Sequence, residues 1–158
     1  MKHWLLKSEP GTYSISDLQK APGHKDHWDG VRNYQARNFL RDEMKPGDRV
    51  LFYHSGRKPC VVGTAHVCRA GYPDFTAWDP DSDHYDPKST PEKPVWFMVD
   101  VRLERIFPRP VPLSELRRTK GLEKMILLRR GVRLSVQPVS ASEFRIIANL
   151  GEQAEAGD

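Results

Sequence analysis

The chain has 158 residues, with 25 Lys and Arg against 21 Asp and Glu, a formal net charge of +4 and a sequence pI of about 9.1. This length suits a single domain with a substantial core. No apolar run approaches membrane-spanning length, and the apolar patch at residues 4–6 is too short for a signal peptide. We therefore expect a cytoplasmic protein without a membrane partner.

The charges are unevenly distributed along the chain. Residues 102–133 hold ten Lys or Arg and three acidic residues, whereas residues 74–93 hold six acidic residues and two Lys. A basic surface on one side of the protein is compatible with a polyanionic partner. Cys60 and Cys68 fall eight positions apart in one apparent strand, a separation that excludes a disulfide between them.

The N-terminal half predicts alternating strands and short helices. In chain order these are a strand at 3–7, a helix from Ser14, a polar loop at 20–29, a helix over 36–44 and a strand at 50–55. Ser14 and Asp17 have the spacing of a capping box. Apolar residues on both alternating positions of 50–55 are typical of a strand buried on both faces.

The C-terminal half predicts two further strands, a long loop and a well-defined last helix. In chain order these are a strand at 61–67, a loop at 70–94, a strand at 95–104, a helix capped by Ser114, a helical turn at 122–126, a strand at 133–136 and a helix from Ser140 to a stop at Gly151. The proline-rich segment 107–112 is expected to break the chain. About five strands with short, irregular helices favour an α+β fold with a twisted sheet or partly open barrel.

Motifs for cofactors and metals are weak. Gly121 and Gly131 stand alone without the context of a phosphate-binding loop. His24 and His27 have a metal-like spacing, but no third ligand accompanies them. We therefore expect no cofactor and no metal.

Residues 28–38 combine one Trp, one Tyr, two Asn, one Gln and two Arg. Aromatic faces beside amides can stack a planar base and read its edge, and arginine can hold a phosphate. The candidate ligand-binding residues here are Trp28, Asn33, Tyr34, Gln35 and Arg37. A helix start with a buried Trp and a solvated polar face is the alternative interpretation.

Three strand ends carry polar groups just beyond an apolar run. The candidate residues at these ends are Lys7, Ser8, Glu9, Pro10, Tyr53, His54, Ser55, Leu134 and Ser135. If the ends converge beside Trp28, they form an aromatic pocket with a few polar groups, which suits a small planar ligand.

Several ordered motifs resemble those of EVE domain proteins. They are KSEP at 7–10, WDGVRNYQARN at 28–38, FYHS at 52–55, VGTA at 62–65, YDPK at 85–88, VDV at 99–101 and RLSVQPV at 133–139. The resemblance implies one domain over residues 1–150, with an acidic tail at 151–158 that we expect to be disordered. It also implies a PUA-like fold, a small twisted β-barrel of five to six strands with short flanking helices.

The same resemblance implies a non-catalytic, YTH-related module that binds DNA or RNA carrying a modified base, with modified cytosine or adenine as candidates. By this likeness Lys7, Ser8 and Glu9 edge the pocket, Trp28 stacks the base and Asn33 reads it. Tyr53, His54 and Ser55 would lie alongside, Arg130 and Arg133 would reach phosphates or close the pocket, and Trp78 would be a second wall or a lid.

Two other functions remain open from the sequence. One is an enzyme of nucleic-acid or nucleotide modification, with His54 or Glu9 as the acid–base group. The other is a pocket for a small heterocyclic metabolite, which the modest net charge allows. No segment resembles a dimerisation helix, so a monomer is expected.

Overall fold

The computed structural model describes residues 1–153, which form six strands and four short α-helices. The strands are β1 (His3–Ser8), β2 (Lys25–His27), β3 (Arg49–His54), β4 (Cys60–Pro73), β5 (Phe97–Pro112) and β6 (Val136–Val139). The helices are α1 (Ile15–Lys20), α2 (Tyr34–Asn38), α3 (Leu113–Arg118) and α4 (Ala141–Glu152). Most of the predicted acidic tail, from residue 154 on, lies outside the described residues.

The strands form one mixed sheet in the order β2-β5-β4-β3-β1-β6. β1 and β3 are parallel, and the other pairs are antiparallel. Among the described residues β2 and β6 are the two edges, so the sheet is open rather than a closed barrel. The α+β class is confirmed. Because β1 and β3 are parallel neighbours, their carboxyl ends lie side by side at the same end of the sheet.

Apolar cores cover both faces of the sheet. Trp4 and Phe52 pack into one core, whereas Leu5, Leu51 and Tyr53 pack into the other. Successive side chains of a strand point to opposite faces, so alternate side chains of β1 and β3 pack into the two cores. The predicted burial of both faces of the 50–55 strand is thereby confirmed.

β5 extends through the proline-rich segment that was expected to break the chain. β2 pairs only with residues 100–102 of β5, so the later part of β5 is an edge, where a proline without an N–H is tolerated. The register also shifts between Val61 and Gly63. A Cβ at residue 63 would collide with the carbonyl of Arg105, so the lack of a side chain at Gly63 allows the two strands to approach closely.

Other boundaries also differ from the sequence expectation. The predicted 20–29 loop contains β2, and β4 runs six residues beyond the predicted strand end at 67. Ser114 lies inside α3 rather than capping it, because the helix begins at Leu113. The closing strand is β6 (Val136–Val139) rather than 133–136. Pro138 fits within this strand because β6 pairs with β1 at the edge of the sheet, where a proline without an N–H is tolerated.

The two helices with capping boxes follow the prediction. Ser14 and Asp17 bond reciprocally at the start of α1, and Ser140 and Glu143 do the same at α4. α4 passes Gly151 and ends at Glu152 because this glycine packs directly on a phenylalanine ring instead of ending the helix. None of the helices within residues 1–153 is long and apolar enough to cross a membrane.

Candidate functional site

A cavity of about 350 Å³ opens beside Trp28. Its lining residues are Lys7, Ser8, Thr12, Tyr13, Asp26, His27, Trp28, Asp29 and His84. We call this site the Trp28 cavity. Its volume lies at the lower end of the range for small-ligand pockets, and it mixes aromatic walls with charged groups.

Four segments build the cavity. The end of β1 provides Lys7 and Ser8, and the next loop is held across it because the Ser8 hydroxyl donates to the carbonyl of Tyr13 (2.6 Å). β2 and its continuation provide one wall, which is fixed to the sheet where the Trp28 N–H donates to the Val99 carbonyl (2.8 Å). The long loop after β4 provides the remaining side.

Trp28 is held rigidly by its neighbours. Its ring meets Phe52 at 5.2 Å and Tyr13 at 6.3 Å, both edge to face. Only 7% of the residue is exposed, so a small part of the indole reaches the cavity. The assignment of Trp28 as the stacking wall therefore stays a prediction.

Two carboxylates line the cavity, and they differ in how fully they are bonded. Asp26 accepts from the Tyr13 hydroxyl (2.7 Å) and from the backbone N–H of His27 (2.8 Å). Burial, followed by this bond to Asp26, raises the pKa of the Tyr13 hydroxyl above its ordinary value. Tyr13 therefore stays a neutral donor, locked onto Asp26.

Asp29 faces two histidines. His84 Nδ1 lies 3.2 Å from Asp29 Oδ2, whereas His27 Nε2 lies 4.0 Å from Oδ1. Because an ionised carboxylate only accepts hydrogen bonds, His84 donates from Nδ1. No group of three or more His, Cys, Asp or Glu within residues 1–153 has the geometry of a metal site.

Partly buried contacts of Arg32 anchor the long loop that carries His84. Arg32 donates to the carbonyl of His84 (2.6 Å) and to Asp74 (3.0 Å). Burial by itself raises the pKa of Asp74, but bonds from Thr76, Gly30 and Arg32 outweigh it and lower the pKa overall. The fully buried Asp74 is therefore ionised and ties the loop to the segment after Trp28.

Lys7 is the one Lys or Arg among the residues that line the cavity. Burial lowers the pKa of Lys7 from its ordinary value. Its ammonium lies 5.9 Å from the centre of the Tyr53 ring, and no carboxylate of residues 1–153 forms an ion pair with it. The backbone N–H of Lys7 donates to the Ser135 carbonyl (2.9 Å), so the end of β1 lies beside the segment that precedes β6.

Asn33 lies in a second, more basic cleft. The lining residues of this arginine cleft are Asn33, Gln35, Ile126, Arg129, Gly131, Val132, Arg133 and Leu134. Asn33 Oδ1 accepts from the Ala36 N–H (2.9 Å) and caps α2. The structure thus places the predicted base reader and Trp28 in different clefts, with Arg130 exposed beside the second one.

His54 and its neighbours form a third groove. Glu9, Pro10, His54 and Ser55 line it, outside the Trp28 cavity. His54 Nε2 accepts from the Ile15 N–H (3.1 Å), and burial lowers the pKa of this imidazole. This histidine therefore serves as a neutral acceptor at the start of α1.

The remaining aromatic candidates lie outside the cavity lining. Tyr53 is buried in a core, whereas Tyr34 is 61% exposed and stacks on Trp96 at 5.0 Å. Arg37 covers the Tyr34 ring and donates to a backbone carbonyl. Trp78 is half-buried, and its indole N–H has no hydrogen-bond partner among the residues described.

Six cavity residues were absent from the sequence-based candidates. They are Thr12, Tyr13, Asp26, His27, Asp29 and His84. Asp29 stood within the 28–38 stretch, where its place directly after the candidate Trp was a usable signal. Tyr13 and His84 carried no such signal, because only long-range packing brings their segments to the cavity.

The comparisons with known proteins all indicate the same family. The EVE domain model matches residues 2–150. Human thymocyte nuclear protein 1 is 42% identical over 169 residues, an alignment that covers 96% of this chain and 74% of that protein.

Solved structures agree over nearly the whole chain. A hypothetical protein from Leishmania major matches with a TM-score of 0.90 and 50% identity, covering 96% of this chain and 95% of that one. The human THYN1 protein in complex with DNA containing 5-methylcytosine matches with a TM-score of 0.88 and 41% identity, covering 98% and 100%. The family resemblance seen in the sequence motifs is confirmed: the chain belongs to the EVE domain family.

Proposed function

We propose that this chain is a non-catalytic module that binds DNA carrying a modified cytosine, with the base flipped out of its strand into the Trp28 cavity. The observation that carries the proposal is the cavity itself. It is large enough for one nucleobase, and it joins an aromatic wall to charged groups that can pair with a base edge.

The relatives support the choice of ligand. The human THYN1 protein has been solved in complex with DNA that contains 5-methylcytosine, and this chain aligns with the whole of that structure. A methylated cytosine is therefore the first ligand to test.

Binding of a flipped base needs a further favourable contribution from charged groups on the protein surface. Stacking contributes about 1–3 kcal/mol per base, and flipping a base costs a few kcal/mol. Cations near the cavity can supply the difference through the phosphates. Lys7 stands at the mouth, and Arg133 lies two residues from Ser135, whose carbonyl holds the Lys7 backbone.

The position of His54 weighs against the acid–base alternative. Its Nε2 lone pair is engaged by the Ile15 N–H, and it lines a groove separate from the Trp28 cavity. Proton abstraction by this nitrogen would require breaking the start of α1.

The test is fluorescence anisotropy with short labelled oligonucleotides that carry one cytosine, 5-methylcytosine, adenine or N6-methyladenine. Single- and double-stranded DNA and RNA are compared at two salt concentrations. We expect preference for 5-methylcytosine in DNA and weaker binding at high salt. Equal, salt-sensitive binding to all oligonucleotides would refute recognition of the modification. Salt-insensitive binding of free heterocycles alone would favour the small-metabolite alternative.

Lys7→Gln tests the position of the site without cutting into the core. We expect this variant to weaken DNA binding. Lys2→Gln is the matched control, because Lys2 lies beyond the opposite end of β1 and pairs with Glu43. Equal effects of the two substitutions would place the DNA elsewhere.

A further inference from the structure

The two carboxylates of the Trp28 cavity are not equivalent as ligand groups. Both oxygens of Asp26 already accept hydrogen bonds, from the Tyr13 hydroxyl and the His27 N–H. Asp29 accepts one bond, from His84 to Oδ2. Among residues 1–153 no donor lies within hydrogen-bond distance of Asp29 Oδ1, and the Nε2 atom of His27 is 4.0 Å away from it. Asp29 therefore retains acceptor capacity at the cavity wall.

This free acceptor fits one edge of a pyrimidine and opposes another. Cytosine presents an N4 amino donor, whereas thymine presents an O4 acceptor at the same position. An ionised carboxylate can only accept. It would therefore bond to the amino group of cytosine and repel the carbonyl of thymine.

We propose that Asp29 is the residue that selects pyrimidines with a 4-amino group, and so separates 5-methylcytosine from thymine. This inference rests on the proposed function, because it assumes that the flipped base enters the Trp28 cavity. 5-Methylcytosine and thymine carry the same methyl group, so that group cannot distinguish them. Discrimination must come from the edge that Asp29 faces.

Neighbouring residues hold Asp29 ready for this role. His84 hydrogen-bonds to Oδ2 of Asp29, and Arg32 donates two hydrogen bonds to the backbone carbonyl of His84. A carboxylate oriented in advance loses little side-chain entropy when a base arrives.

The experiment uses the whole 158-residue chain and compares two oligonucleotides that differ only in 5-methylcytosine or thymine at one position. For the wild type we expect binding at least about tenfold tighter to 5-methylcytosine, as one well-made base contact provides. Asp29→Asn should bind 5-methylcytosine more weakly and lose most of the preference, because a rotated amide can donate to O4. Asp42→Asn is the control, because Asp42 is exposed, pairs with Arg41 and lies outside the cavity lining, so it should leave the preference unchanged.

A probe-side measurement avoids any effect of the substitution on folding. An oligonucleotide carrying 5-methyl-2-pyrimidinone has the methyl group but no 4-amino group, and the wild type should bind it about tenfold more weakly than 5-methylcytosine. Unchanged binding of this probe, or an unchanged preference in Asp29→Asn, would overturn the role of Asp29. If the wild type instead binds cytosine and 5-methylcytosine oligonucleotides equally, the proposed function itself fails.

Discussion

The imidazole of His84 packs directly on the backbone of Gly30. A Cβ at residue 30 would lie 2.6 Å from both Cε1 and Nε2 of that ring. Gly30 also has a φ of +83°, in the left-handed region that favours glycine. The glycine therefore serves two purposes: it turns the chain after Trp28, and it leaves room for the histidine that orients Asp29.

Gly30→Ala should disturb the cavity as well as the backbone. The left-handed φ costs about 1–2 kcal/mol for a residue with a Cβ, and the methyl group must displace His84. We expect a lower free energy of unfolding in urea and weaker binding of 5-methylcytosine DNA. Gly47→Ala is the control, since Gly47 has a φ of +93° but no atom within 4 Å of an added Cβ. Equal loss of DNA binding in both variants would contradict the role of the His84 contact.

Arg32→Gln should destabilise the long loop. Asp74 is fully buried, and removing a partner from a buried pair costs about 3–5 kcal/mol. We expect the lower end, because the Arg32 side chain is 24% exposed. Urea unfolding measures the loss. Arg41→Gln, which breaks the exposed pair with Asp42, should change stability little. Comparable losses of unfolding free energy in the two variants would show that the Arg32–Asp74 pair stabilises the fold no more than an exposed pair does.

Asp48→Asn should flatten the dependence of stability on acid pH. Burial by itself raises the pKa of Asp48, but bonds from the Trp4 indole and from the N–H groups of Lys2 and Lys45 outweigh it, so the net shift is downward. A carboxyl with a lowered pKa in the folded state stabilises it fully above the unfolded pKa of about 4. That stabilisation is lost as pH falls through the folded pKa.

Urea unfolding between pH 7 and pH 2.5 measures this contribution of Asp48. The wild type should lose more stability on acidification than the variant. A variant with the same dependence on pH as the wild type would mean that Asp48 is bonded equally well in the unfolded chain.

Arg130→Gln and Arg133→Gln should weaken DNA binding without changing base preference. Each lost phosphate contact reduces the slope of log K against log salt by about 0.9. Binding isotherms at four salt concentrations determine the slope. Arg105→Gln is the control, because Arg105 is already paired with Glu152. An unchanged slope in both variants would exclude the arginine cleft and the exposed Arg130 beside it from the DNA interface.

Features that depend on neighbouring residues could be read from the sequence. The capping boxes at Ser14 and Ser140 were predictable because their bonds join residues three apart. The two-faced burial of β3 followed from an apolar run whose alternating positions both need a core. The ordered EVE motifs identified the family over most of the chain.

Features that depend on distant partners were beyond local patterns. Whether residues 107–112 could form a strand depended on β5 having a free edge there, which only the sheet order decides. β2 is three residues long and consists of charged and polar side chains, so it carries no apolar alternation; its pairing with β5 makes it a strand.

The amino-acid sequence by itself determined the α+β class, the EVE family and the helix caps at Ser14 and Ser140, because these follow from periodicity, short-range bonds and ordered motifs. Only the tertiary structure decided which side chains share a cavity. It separated Asn33 from Trp28 and brought His84 to Asp29 across 55 positions of the chain. The physical reason is that the partly buried Arg32–Asp74 pair fixes the long loop, and no local pattern records a contact between segments so far apart.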